Sequence, residues 1–221
     1  CGGYPVGART AAELVESGAL SREEGERLLI FCNNAGPGFL LGICGGAVFA
    51  SPRAGAALYL IHVASALFTG ILLTRRLPPL SAPFSAGAAP HRTASLSAAL
   101  PAAVQGALAG ILNVCAFVVF FTVCTRLLLR ALPESFAFSL PCALLIGFFE
   151  LTSGVTALPP TRAGFLACAA LLAWGGLSVH CQTLSALSAS ALSARYYLRA
   201  KAAQALLSVI LSLPALPFLF P

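Results

Sequence analysis

Polar positions along this chain fall in short clusters between long apolar runs, and the runs set the architecture. Residues 9–27 form the most charged cluster and read as an interfacial helical hairpin. Thr10-x-x-Glu13 and Ser21-x-x-Glu24 both match the capping box, and Gly18 between them is a natural helix stop. The run Leu28–Ser51 is long enough to span a bilayer, but Cys32-Asn33-Asn34-Ala35-Gly36-Pro37-Gly38 interrupts it. Pro37 removes a backbone donor and the glycines admit non-helical dihedrals, so a helix unwound at mid-membrane is predicted. Ala54–Thr74 is a plainer span, with His62 placed to make an interhelical hydrogen bond. Residues 75–99, rich in Pro, Ser and Ala, form a polar linker. Then come the runs Leu100–Cys124, Ser135–Leu158, Gly164–Ser190 and Ala202–Phe220. Gly106-x-x-x-Gly110 in the first of these suits close helix packing. Glu150-Leu-Thr-Ser-Gly154 and Gly175-Gly-Leu-Ser-Val-His-Cys-Gln182 interrupt the next two; the former is expected to be a tip where two half-membrane helices meet, and the latter, like Asn33–Gly38, to be non-helical.

Composition makes lipid the solvent for most of this pattern. The chain has 221 residues, of which 58% are hydrophobic and 9% charged, against about 25% charged in an ordinary soluble domain. Its mean hydropathy is +0.90. All seven acidic residues are Glu, which excludes chemistry built on an Asp pair or an Asp-centred triad. The eight cysteines include no C-x-x-C and sit mostly in apolar runs, so they read as small hydrophobes rather than as a zinc site or disulfide framework. No methionine occurs and the first residue is Cys1, as expected of a chain that begins inside a structural element.

The interruptions recur in order. A polar tip (Tyr4–Gly7), a connector, a broken span and a plain span occupy residues 1–74, as a first, partial repeat. After the linker at 75–99, residues 100–221 show a leading span, a tip at Glu150–Gly154, a broken span and a last span, as a second repeat. Corresponding interruptions in two halves point to a transporter built from repeats. Charge tests the orientation. If Ser135–Leu158 enters and leaves on one side, the side holding residues 9–27 carries Arg9, Arg22, Arg27, Arg75, Arg76, Arg92, Arg195, Arg199 and Lys201. The other side carries Arg53, Arg126, Arg130 and Arg162, a split of nine against four. That is a positive-inside bias, and with opposed tips the repeats are inverted. Full crossing by every run gives seven against six, which is no signal.

Gly3-Tyr4-Pro5-Val6-Gly7-Ala8, Ser21-Arg-Glu-Glu-Gly-Glu-Arg27 and Phe31-Cys-Asn-Asn-Ala-Gly-Pro37 resemble the nucleoside recognition (Gate) domain family. Glu150-Leu-Thr-Ser-Gly154 and Gly175–Gln182 resemble the second half of one branch of it, the sporulation integral membrane proteins of endospore formers. The resemblance covers nearly all of the chain. It implies an all-α polytopic fold like that of the concentrative nucleoside transporters, with re-entrant hairpins and broken helices around a mid-membrane site. It also implies a bacterial cell membrane, with the outer forespore membrane as the specific case, and members with further helices before the Gly-Tyr-Pro motif. The Gln-Thr-Glu that nucleoside carriers have at the first tip is missing here.

The expected function is transport of a small anionic solute, with dipicolinate as the named case and a nucleoside permease or a non-transporting membrane subunit as alternatives. Tyr4 and Gly36 mark the first tip and break, and Asn33, Asn34, Thr152, Ser153, Ser178 and Gln182 supply neutral hydrogen bonds. His180 adds a positive charge or proton relay. Freed N–H groups at half-helix starts favour a carboxylate. Glu150 would repel a dianion, so it is read as the coupling group for a proton or sodium ion, with a structural cap as its bland alternative. No cofactor or metal is expected. The partners are the bilayer and the solute, with homo-oligomerisation open. The +6 net charge lies on loops and does not suit nucleic acid. An intramembrane hydrolase using Ser178 or Ser153 with His180 is the least favoured reading, since residues two apart face different sides of a helix.

Overall fold

The structure, a computed structural model, describes residues 3–80 and 95–221. Among these residues it is all helix and turn, without strands. Four stretches are long and apolar enough to cross a bilayer: Pro52–Thr74, Ala99–Arg130, Arg162–Leu187 and Arg195–Leu219. This is the build of an integral membrane protein.

The charged N-terminal cluster folds as a hairpin of α1 (Val6–Glu16) and α2 (Arg22–Cys32). Gly18 has φ +72° and lets the chain turn back after α1. The Ser21 capping box forms: the Ser21 amide donates to Glu24 Oε2 at 2.8 Å, and the Glu24 amide to Ser21 Oγ at 3.2 Å. The expected box at Thr10 does not form, because α1 already starts at Val6 and holds Thr10 in its interior. After the first break, a π-helix (Phe39–Val48) leads into α3 (Pro52–Thr74). The two lie backbone on backbone: a methyl on Gly45 would sit 2.7 Å from the Gly55 Cα. Small residues permit such approach between helices in lipid.

Helix α4 (Leu96–Arg130) exceeds the expected Leu100–Cys124, and none of its most apolar window is buried by protein. Its Gly106–Gly110 face does not receive another helix. The Arg9 guanidinium lies there, donating to the Gly106 carbonyl. The expected polar linker falls largely at residues 81–94, outside the described residues. Two short helices follow, α5 (Leu140–Phe149) and α6 (Leu151–Thr156), which meet at Glu150 and fold onto each other. A side chain on Gly154 would run into the Gly147 backbone.

The chain then continues through α7 (Arg162–Trp174), α8 (Gly176–Leu187), α9 (Arg195–Ser212) and a last turn, α10 (Leu216–Leu219). One apolar core joins the π-helix, α3, α6 and α7 through Leu40, Cys44, Leu58, Val155, Phe165 and Leu172. Phe49, Phe165 and Phe220 meet edge to face at one end, with centroids 5.7–6.3 Å apart. Helix α9 starts at Arg195 rather than near Ala202, so Lys201 lies inside a helix and is fully buried. This corrects its expected place in a charged loop.

Candidate functional site

The first break is real and compact. Residues 33–36 leave the helix, and Pro37 and Gly38 already re-enter it. The unwinding frees the Ala35 amide, which donates to His62 Nε2 at 3.2 Å from α3. His62 thus makes the interhelical bond expected of it, and its partner is the broken backbone itself. With Nε2 accepting, a neutral imidazole carries its proton on Nδ1. That Nδ1 is buried and has no hydrogen-bond partner among the described residues.

The second break is much narrower than expected. Gly175 (φ +91°) and Gly176 (φ +78°) alone turn the chain, and α8 runs regularly from Gly176 to Leu187. Ser178, His180 and Gln182 therefore sit on helix rather than on unwound backbone. Two consecutive glycines are needed because both dihedrals are left-handed, which costs an L-residue about 1–2 kcal/mol each. They also allow close approach: a methyl on Gly176 would lie 3.0 Å from the Gly147 carbonyl oxygen and 3.1 Å from the Leu151 amide. The α5–α6 tip thus touches the second break. Gly3 likewise stands against Gly36, where its added methyl would be 3.5 Å from the Gly36 amide.

Two polar clusters hang from these breaks. In one, Lys201 Nζ donates to Asn34 Oδ1 at 3.0 Å and Gln204 Oε1 at 2.9 Å, and stands 5.3 Å from the Tyr4 ring centroid. Gln204 Nε2 donates to Asn34 Oδ1 at 3.2 Å and to the His62 carbonyl at 3.3 Å. Tyr4 itself donates to the Leu172 carbonyl at 3.1 Å, which ties the first tip to α7. In the other cluster, Asn33 Nδ2 donates to Thr183 Oγ1 at 2.8 Å, and the Tyr197 hydroxyl bonds His180 Nδ1 at 3.0 Å and Thr183 Oγ1 at 3.3 Å. His180 Nε2 has no hydrogen-bond partner among the described residues. The clusters are joined by the Asn33–Asn34 peptide and by the one-turn step from Tyr197 to Lys201.

Glu150 is an N-cap. Its carboxylate accepts from the Thr152 amide at 3.0 Å and the Ser153 amide at 2.7 Å, and the side chain is buried. Ser178 Oγ accepts from Gln182 Nε2 at 3.2 Å and makes no bond to His180, so the pair a serine hydrolase would use is not assembled. No group of three or more His, Cys, Asp or Glu suited to a metal ion occurs among the described residues.

A cavity of about 520 Å³ collects much of the expected site: Tyr4, Gly36, Glu150, Thr152 and Gln182 line it, with Val114 and Val118 of α4. The starts of three helices reach it, through Gly38–Phe39, Leu151–Thr152 and the first turn of α8 at Val179. A second cavity, of about 430 Å³, is lined by Asn34 and His62 and shares Gly3, Ala35 and Pro37 with the first. The two are lobes around the first break. Asn33, Ser153, Ser178 and His180 line neither lobe.

Lys201, Gln204, Tyr197 and Thr183 escaped the sequence reading. Their signal was present: Tyr197, Lys201, Gln204, Ser208 and Ser212 recur at helical spacing and all are fully buried. Together they form a buried polar stripe on one face of α9.

No family model, curated protein or solved structure matches this chain.

Proposed function

We propose that this chain is a membrane permease subunit for a small anionic solute, built from two inverted repeats, with dipicolinate as the case to test. The observation that carries the reading is the convergence of three helix starts on the cavity of about 520 Å³. Such a volume suits a small ligand. The α8 start lacks a side-chain cap, so its N–H groups favour negative charge, whereas the first amides of the π-helix, Phe39 and Leu40, already donate to the Gly36 carbonyl. The α6 start is occupied by the Glu150 carboxylate, so a coupling proton or sodium ion would share oxygens already engaged by backbone.

Helix lengths and contacts support the re-entrant reading of α5–α6. Ten and six residues rise about 15 and 9 Å, against a hydrocarbon core of about 30 Å. Contacts between distant residues fit the same topology. The Ser193 amide donates to Glu26 Oε1 at 3.0 Å, Arg162 to the Phe220 carbonyl, and Phe49 meets Phe220. Each pair shares a side when α5–α6 returns to the side it entered. A full crossing there would put Ser193 opposite Glu26 and Phe220 opposite Phe49. The order of tip, break and plain helix, with Gly3 on Gly36 and Leu151 on Gly176, supports the repeat.

The test is uptake of labelled pyridine-2,6-dicarboxylate by proteoliposomes of the purified chain, with uridine in parallel. Saturable uptake of the dicarboxylate is expected. Saturable uptake of uridine alone would replace the anion by a nucleoside. Saturable uptake of neither solute would overturn the permease reading.

A further inference from the structure

Lys201 is the one fully buried cation among the described residues, and no carboxylate answers it. The ion pairs Arg9–Glu13 and Arg22–Glu26 are on the charged N-terminal hairpin. Glu150, the buried carboxylate among the described residues, is held by two backbone amides of α6. The ammonium's hydrogen-bond partners are neutral amides, Asn34 and Gln204, and the third neighbour is the face of Tyr4. The other titratable groups of its surroundings, Cys32, His62, His180 and Tyr197, bring no negative charge. A buried charge is costly unless paired. Here the partial charges of the amides and the ring provide what compensation the protein supplies, and a full counter-charge is absent.

The position of the ammonium says where the counter-charge belongs. Tyr4 lines the lobe of about 520 Å³ and Asn34 the lobe of about 430 Å³. Lys201 thus stands one residue behind the wall of each. His62 lines the second lobe too, buried to 2% exposure with an Nδ1–H that has no acceptor among the described residues. A cation behind the wall and an unsatisfied donor in it both call for an anion bearing oxygen acceptors.

We propose that Lys201 is the fixed counter-charge that selects a carboxylate-bearing solute over its neutral isostere, acting across Asn34 and Tyr4 on the cavity around the first break. The proposal rests on the permease reading and names the residue that gives it its charge preference. Lys201 works by its field and does not touch the solute. A carboxylate on the far side of the Tyr4 ring lies about 9 Å from Nζ, and at an effective dielectric of about 20 that interaction is worth about twentyfold in affinity. A charge held behind a neutral wall also keeps the solute from binding too tightly to leave.

The experiment compares pyridine-2,6-dicarboxylate with pyridine-2,6-dicarboxamide, equal in shape and uncharged, by calorimetric titration of the purified chain in detergent. The native protein should prefer the dicarboxylate at least tenfold. Lys201→Gln should bring the two affinities within about twofold by weakening the dicarboxylate alone, and Lys201→Arg should keep the preference. Equal affinities in the native protein would overturn the proposal, as would a preference that survives in folded Lys201→Gln. Should Lys201→Gln fail to fold, the native pair and Lys201→Arg still decide, since loss of preference with the charge retained also counts against it. A native protein that binds both compounds equally overturns this proposal and leaves the permease reading standing, whereas one that binds neither overturns both.

Discussion

Glu150 is where cap and coupling group can be told apart, because the two roles place different demands on its carboxylate. Replacing it by Ala removes the acceptor of the Thr152 and Ser153 amides at once. Each buried N–H left without a partner costs about 1–3 kcal/mol, so the sum is about 2–6 kcal/mol. The lower end applies here, since Glu150 lines a cavity from which water can reach the amides. At about 2–4 °C per kcal/mol for a chain of this length, a loss of about 2 kcal/mol lowers the melting temperature by about 4–8 °C. Glu150→Gln keeps one oxygen and turns an NH2 group towards the other amide, so it should lose roughly half as much. It is therefore not a silent removal of charge, and accumulation must be normalised to folded protein. The assay is thermal unfolding in detergent beside driven solute accumulation in proteoliposomes. An unchanged melting temperature in Glu150→Ala would refute the cap. Full accumulation by destabilised Glu150→Gln would refute a coupling role and leave the cap.

Three further outcomes follow from the same geometry. Gly176→Ala combines a left-handed dihedral with a methyl 3.0 Å from the Gly147 oxygen, and should destabilise by more than 2 kcal/mol or so. Gly18→Ala, with φ +72° and nothing within 4 Å, should lose only the strain of about 1 kcal/mol, and equal melting temperatures for the two would refute the contact. Asn34→Ala removes the acceptor shared by Lys201 and Gln204 and should cost about 1.5–3 kcal/mol. That exceeds the loss in Asn33→Ala, which gives up one neutral bond to Thr183, and thermal unfolding ranks the two. Cys115 is exposed on α4 and Cys168 is buried. In membranes a membrane-impermeant maleimide should spare both, and it should modify both once the chain is unfolded in SDS, with mass spectrometry of the labelled chain reading the result.

The sequence showed the class of fold because apolar run length is a direct readout of helices in lipid. The first break was legible for a local reason: Pro37 cannot continue the preceding helix but can start the next one, and the break falls at residues 33–36 just before it. The second break was read too wide, because Ser, His and Gln look like helix interruptions under rules drawn from water. Facing protein, Ser178, His180 and Gln182 cost a helix little, and the dihedrals of Gly175 and Gly176 suffice for the turn. The Glu150 cap was visible only as an alternative, since a carboxyl in an apolar run suggests function equally well. Lys201 was misplaced for a similar reason. Beside Arg195 and Arg199 it extended a run of loop charges, and only the stripe from Tyr197 to Ser212 says that α9 continues through it.

That stripe changes how α9 should be understood. In water an amphipathic helix hides its apolar face, whereas here Leu206 and Ile210 face outward and Tyr197, Lys201, Gln204 and Ser208 face in. Polar groups in such an interior are held to one arrangement by partners they cannot exchange for solvent. Asn34 spends its oxygen on α9 and its amide on the Phe31 carbonyl at 2.6 Å, which fixes the break from both sides. The groups that shape the cavity are thus the groups that hold the broken helix in register. Recognition and integrity share residues, so Asn34→Ala alone can distinguish neither. Changing the solute instead, carboxylate for carboxamide at constant shape, leaves the protein's internal hydrogen bonds in place, and the comparison with Lys201→Gln separates the lost charge from the exchange of an acceptor oxygen for an NH2 donor.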